Sequence, residues 1–281
     1  MSTPSTRVLR DVPKAITLSA FLLTLSLCSL RVTAQTPRPL ASFHQALAHS
    51  TTRPVRVGVY GASHTASDEF THVLRSSLQR RFGDGGIGWF LPSSPFLFYG
   101  RHEVEISGTG WDGMRVRGRE RRRDNYGLAG IALDTQDGAT SRVQLPPHSE
   151  QALSLSYLQQ PGGGDLVVTW AEERVVIDTD GPRETKYITL TTSFEATLLT
   201  LVATGKVRVF GVDMTRAEGV SVDAFGVPGA RAGDQRPWRV RSLEQSLRSR
   251  PFDLVILAYG TNESARRERP SERGALREVV R

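Results

Sequence analysis

The segment VRVGVYG, residues 55–61, is a short valine-rich run closed by a glycine, and the period changes directly after it. Phe70, Leu74, Leu78 and Phe82 recur every four residues, the spacing of one helix face, and Gly83 ends the stripe. Ser67 is placed to cap that helix, with Asp68 and Glu69 in its first turn, where the helix dipole favours acids. A buried strand that turns tightly into an amphipathic helix is the opening unit of a parallel α/β sheet. Runs of the same kind return only far down the chain. VSVDAFG, 220–226, ends at a glycine turn; SLEQSLRSR, 242–250, has helical spacing; FDLVILAYG, 252–260, is a continuous apolar run of the sort found in the middle of a parallel sheet.

Between them the pattern is that of a different architecture. ALSLSYL (152–158), DLVVTWA (165–171), RVVIDT (174–179), YITLTTS (187–193), ATLLTLVAT (196–204) and VRVFGVDM (207–214) are short, and several alternate apolar with polar. PGGGD and DTDGPRE punctuate them as turns. Closely spaced strands of this kind predict a β-sandwich or jelly roll over about residues 100–215. The expected fold is therefore an α/β domain, 35–99 and 216–281, interrupted by a β domain. Right-handed crossovers put the strands that start at 55, 220 and 252 in one parallel sheet, with their carboxyl ends along one edge, where sites form in open α/β sheets. GDGGIG, 83–88, has the glycine spacing of a dinucleotide loop but follows a helix rather than a strand; it reads as the loop leading into the β domain.

The amino terminus reads as a leader. Arg7, Arg10 and Lys14 precede the apolar run AITLSAFLLTLSLCSL, and VTA before Gln35 resembles a cleavage site, so residues 1–34 are assigned as a signal peptide and the protein as secreted or periplasmic. An uncleaved anchor is the alternative, although the run is short for a span, and no later stretch is long and apolar enough to cross a membrane. The single cysteine, Cys28, lies inside the leader, which removes disulfides, thiol catalysis and cysteine-bound metals from the mature chain. No acidic or histidine cluster has metal-ligand spacing, and no cofactor is expected. Net charge is +7 over 281 residues, mostly scattered arginine; the densest cluster, RVRGRERRRD at 115–124, reads as a solvated face, and no nucleic-acid-binding signature accompanies it. Trp111, Tyr126 and Trp170 could stack on sugars, but in a β-sandwich such residues are more often core.

Three loops carry chemistry. GASH at 61–64, GVPGA at 226–230 and YGTNE at 259–263 each follow an expected strand, in an order that resembles the blocks of the SGNH/GDSL hydrolases, in the type with an inserted β domain. The resemblance covers about 53–90 and 219–270 and implies a flavodoxin-like parallel sheet carrying a serine esterase. It implies Ser63 as nucleophile, with the backbone of Ser63 and Gly229 and the Asn262 amide as oxyanion donors; Gly226 is the other candidate for the glycine. Relatives with this layout are similar to carbohydrate or peptidoglycan O-acetylesterases, so the implied partner is an acetylated polysaccharide or peptidoglycan. Two departures stand out. Ala62 replaces the aspartate of the first block, and no Asp-x-x-His block follows Asn262, the six histidines being His44, His49, His64, His72, His102 and His148. His64 is then either the base or a residue shaping the pocket. The chain is expected to be a truncated esterase or a degenerate relative that binds glycan without turnover; a third possibility is a product that does not fold stably, its last strand left as an apolar sheet edge.

Overall fold

The computed structural model describes residues 40–117, 124–147, 152–192, 196–235 and 238–264. The chain divides into two compact units, Met1–Ala41 and Ser42–Arg281, and everything below concerns the second. The expected leader, Cys28, His148 and the arginines of 118–123 lie outside the described residues, as do residues 265–281. Among the described residues no helix is long and apolar enough to cross a membrane.

Helix α1 (Ala41–Ala48) precedes strand β1 (Pro54–Gly61), the four-residue helix α2 (Ser63–Ala66), helix α3 (Glu69–Phe82) and strand β2 (Gly86–Phe90). Nine short strands follow: β3 (Glu105–Thr109), β4 (Asp112–Arg115), β5 (Ile131–Thr135), β6 (Ala139–Gln144), β7 (Ala152–Gln159), β8 (Asp165–Trp170), β9 (Glu173–Asp178), β10 (Glu184–Thr191) and β11 (Leu198–Thr204). Then come β12 (Val207–Thr215), β13 (Gly219–Gly226), a 3-10 turn (Ala232–Gln235), helix α4 (Val240–Ser249), β14 (Leu254–Ala258) and a final short helix, α5 (Thr261–Ser264).

Strands β13, β1 and β14 form one parallel sheet, as the hydrophobic runs predict; the structure supplies their order, with β1 in the middle. Gly61 pairs with Gly226 on one side and Ala258 on the other, so all three strands end flush. Val55, Val57, Val59, Val220 and Val222 are fully buried in this sheet, and Phe43, Ala46 and Leu47 of α1 pack on the same cluster. Each such burial stabilises by about 1.5–3 kcal/mol relative to exposure.

Three expectations need correction here. Strand β14 is bonded to β1 alone among the described residues, with Val255 46% and Leu257 39% exposed: the edge position named in the third possibility above, not the middle of the sheet that its continuous apolar run suggested. The cap of α3 is Asp68, not Ser67, and it sits in the left-handed region at φ 58°. The helical stripe holds for Leu74, Leu78 and Phe82, which pack on the valine cluster, whereas Phe70 is 40% exposed. The first turns of α3 bury Thr71 and Arg75 instead, because that end of the helix lies over charged partners rather than over valines.

The remaining strands build two antiparallel sheets. One has the order β10-β7-β12-β5-β4, with β2 paired to the far end of β12; the other is β3-β6-β11-β8-β9. Leu153 and Leu155 of the first and Leu166, Val168, Leu199 and Leu201 of the second belong to one apolar core. Trp170 and Tyr126 are fully buried there, as expected of core aromatics, while Trp111 is half-buried and donates to Ser141 Oγ. The end of the segment 83–88, expected as loop, belongs to strand β2, because the backbone of 86–90 completes the β12 ladder, Phe90 opposite Val212 and Trp89 opposite Asp213.

Candidate active site

The flush ends of β13, β1 and β14 bring the three sequence-singled loops to one edge. Neighbouring parallel strands lie about 4.8 Å apart, so residues one or two positions beyond Gly61, Gly226 and Ala258 share a small area. Ser63 opens α2, directly after β1, and is exposed. The turn of α2 is closed by Thr65 N–H and Ala66 N–H donating to Ala62 O at 3.1 and 3.0 Å. Among the described residues the Ser63 hydroxyl has no hydrogen-bond partner, and the exposed His64 ring has none either.

The second loop is clamped to the first. Val227 N–H donates to Gly61 O at 3.0 Å, and Gly226 packs so closely on α2 that a Cβ there would collide with the Ala66 backbone. Ala230 N–H then donates to Val227 O at 2.9 Å, closing a turn with Pro228 and Gly229 at its centre and Gly229 at φ 69°. Proline followed by a positive-φ glycine is the type II pattern, and it leaves the glycine's own N–H outside the turn's hydrogen bond. The two glycines thus do different work: Gly226 admits α2, and Gly229 makes the turn and presents an unspent amide.

The third loop is tied to the second by two neighbouring side chains. Asn262 Nδ2 donates to Ala230 O at 2.9 Å. A primary amide has two N–H bonds, so one remains for another acceptor. Glu263 accepts from Ala232 N–H at 2.8 Å through Oε1 and from Gly260 N–H at 2.9 Å through Oε2, a bridge that sequence reasoning did not single out. Tyr259, in the same loop, is a neutral phenol; burial pushes its pKa up to about 12. Arg117 was also missed. It reaches from the end of β4, donates to Pro228 O at 3.0 Å, and lies where a side chain at 229 would have to go.

Behind this edge lies a second feature with no counterpart in the motifs: three arginines and three aspartates, all buried except Asp213, whose side chain is partly exposed. Asp68 accepts from Arg75 Nη2 at 2.8 Å, from Thr71 Oγ1 at 2.6 Å and from the His102 amide at 3.1 Å, with Arg101 Nη1 at 3.7 Å. Arg250, at the end of α4, is shared by Asp213 at 2.9 Å and Asp223 at 2.6 Å. Asp223 also accepts from Trp89 N–H at 2.8 Å, and Arg101 donates to Ile87 O, so strand β2 is held by both halves. Burial alone would raise the Asp68 pKa, but Arg101 and Arg75 outweigh it and hold the carboxyl below its ordinary value. Asp213 is likewise held low, burial being overcome by Arg250. Asp223 moves the other way: burial pushes it up, opposed by Arg250 and reinforced by the charge of Asp213. The signal in the sequence was a lone aspartate inside the apolar run VSVDAFG and an arginine one position past the stripe residue Leu74.

No protein-family model matches the chain, and no curated protein matches it. Among solved structures, a peptidoglycan O-acetylesterase is similar at 25% identity with a TM-score of 0.64, covering 86% of this chain and 69% of that one. The chain shares the fold of that esterase over this span. A carbohydrate-binding module from Cellvibrio mixtus lichenase 5A, in complex with cellotriose, aligns at 16% identity over 39% of this chain and 89% of that one; its TM-score of 0.27 is too low to carry an argument.

Proposed function

We propose that the protein is an exported SGNH-type serine esterase that removes O-acetyl groups from a cell-envelope or extracellular glycan. The observation that carries this reading is the likeness to a peptidoglycan O-acetylesterase over 86% of the chain, together with the three loops gathered at one parallel-sheet edge. In this reading residues 35–99 and 216–281 are the two parts of the hydrolase domain, the antiparallel sheets are an insertion between them, and residues 1–34 direct export to the periplasm or beyond.

Ser63 Oγ attacks the acetyl carbonyl while its proton passes to a base. The negative charge that develops on the carbonyl oxygen is held by the Ser63 and Gly229 amides and the second N–H of Asn262. Each donor of this kind is worth about 3–4 kcal/mol of transition-state stabilisation. Collapse of the tetrahedral species expels the sugar alkoxide, which takes up a proton, and water then releases acetate from Ser63. The bonds from Asn262 to Ala230 and from Glu263 to Ala232 and Gly260 keep two of the donors in register before substrate arrives.

The test is acetate release from O-acetylated peptidoglycan by the parent and by Ser63→Ala, with and without added imidazole. Release that depends on Ser63 supports the assignment. Release that appears only with imidazole supports Ser63 and the donors while locating the base outside them. Equal release by Ser63→Ala, or none under either condition, overturns it.

A further inference from the structure

Strand β2 runs into a loop whose tip reverses the usual composition of a turn. Tyr99 N–H donates to Phe96 O at 3.1 Å, so Leu97 and Phe98 are the central residues of a four-residue turn. Gly, Pro, Asn, Asp and Ser ordinarily hold such positions. Here they carry two large apolar side chains, 88% and 73% exposed, the highest values of any large hydrophobic residue among the described residues. The packing of this loop on the apolar core comes instead from Phe96 and Tyr99 on either side.

The tip is held from both ends. The Phe96 and Tyr99 rings meet edge to face at 5.8 Å, Arg115 lies over the Phe96 ring at 5.6 Å, and Leu91 N–H donates to the Tyr99 hydroxyl oxygen at 2.6 Å. Beyond the tip, Gly100 N–H donates to Ala66 O at 3.3 Å, and the His102 amide is bonded to Asp68. Ala66 ends the short helix that Ser63 begins. Summed along these links, the backbone of Phe98 stands no more than about 20 Å from that of Ser63. An oligosaccharide of a few rings spans such a distance.

We propose that Leu97 and Phe98 form a platform for the apolar face of a sugar ring in the glycan strand whose acetyl group is delivered to Ser63. This inference rests on the esterase reading and names the part of the substrate gripped away from the scissile bond. A pyranose with equatorial hydroxyls presents C–H groups on its faces, and a phenyl ring meets them without needing a hydrogen bond. Size and charge argue against other occupants. Two side chains of this kind offer at most roughly 250 Å² each, against about 800 Å² per partner in a stable protein interface. Exposed Glu103 and Glu105 follow the tip, whereas segments that dock on anionic lipid are flanked by basic residues.

Co-sedimentation with insoluble O-acetylated peptidoglycan tests the platform, in a Ser63→Ala background so that the ligand is not consumed. Adding Phe98→Ala should weaken binding about tenfold and Leu97→Ala less, while Phe98→Trp should retain it. All three should melt like the parent, because neither side chain is buried. With Ser63 in place, Phe98→Ala should lower kcat/KM for peptidoglycan about tenfold relative to p-nitrophenyl acetate, through KM. A parent that releases acetate, beside a Phe98→Ala variant that binds and turns over peptidoglycan equally well, overturns the platform and leaves the esterase standing. Binding that depends on Phe98 without acetate release supports the platform and overturns the esterase. Sedimentation that depends on Phe98 with vesicles of equimolar phosphatidylcholine and phosphatidylglycerol, and not with peptidoglycan, overturns the platform in favour of a membrane contact.

Discussion

The two parts of the molecule are held together by opposite means. The antiparallel sheets close on an apolar core in which Trp170, Leu166, Val168, Leu199 and Leu201 are fully buried. The region behind the parallel sheet instead buries Asp68, Arg75, Arg101, Asp223 and Arg250, with the half-buried Asp213 paired to Arg250. An apolar core tolerates loss of one member at the cost of a cavity. A charge cluster does not, because removing one member strands its partners in a medium that cannot solvate them. The first kind of core is additive to a first approximation, and the second is not.

That difference can be broken or sharpened by substitution. Arg250→Ala should cost most, about 3–5 kcal/mol in urea unfolding, since it strands both Asp213 and Asp223. Trp170→Ala should cost nearly as much, about 3–5 kcal/mol, through the cavity alone, and its cost should not change with pH. Asp68→Leu combined with Arg75→Met should cost less than Asp68→Leu by itself. A double variant as damaged as the sum of its parts would show the charges to be independent, contrary to the comparison.

The pH dependence follows from the signs. Asp68 and Asp213 have folded pKa values below the unfolded carboxylate value, so their contribution is present above about pH 4 and is lost as pH falls through the depressed values. Asp223, held high, contributes in the opposite sense and partly offsets that loss. Acid titration of stability should therefore show a net fall below about pH 4, and Asp68→Asn should make it shallower. The smallest effect is expected at Gly229→Ala, about 1–2 kcal/mol for a side chain forced into the left-handed region, with displacement of Arg117. If that variant melts like the parent, Gly229 is not the constrained turn glycine described above.

The same comparison explains what could be read from the sequence. The strands of the apolar sheets were legible because alternation records which face is buried; β7, β8, β9, β11 and β12 fall within two residues of their expected bounds. So was the parallel sheet, from three valine-rich or continuous apolar runs. The order of strands in the antiparallel sheets was not, since any alternating strand can pair with any other. Strand β2 escaped notice because four of the six residues of GDGGIG are glycine and mark no face. The charge cluster was invisible for a deeper reason: Arg250 and Asp213 are 37 positions apart, and nothing local distinguishes a buried arginine from a solvated one. Of the site, Ser63, Gly229 and Asn262 were visible as residue types at strand ends, whereas Arg117 and Glu263 act through backbone atoms of other loops and leave no pattern.

Strand β2 and the end of β12 are antiparallel partners, Gly86 beside Thr215. Chain therefore departs from the α/β scaffold and comes back to it across a single strand spacing, about 4.8 Å. The stretch between them thus starts and finishes side by side. On the proposed reading of this stretch as an insertion, its length could change without altering the order β13-β1-β14, and a hairpin-sized loop would close the gap if it were removed.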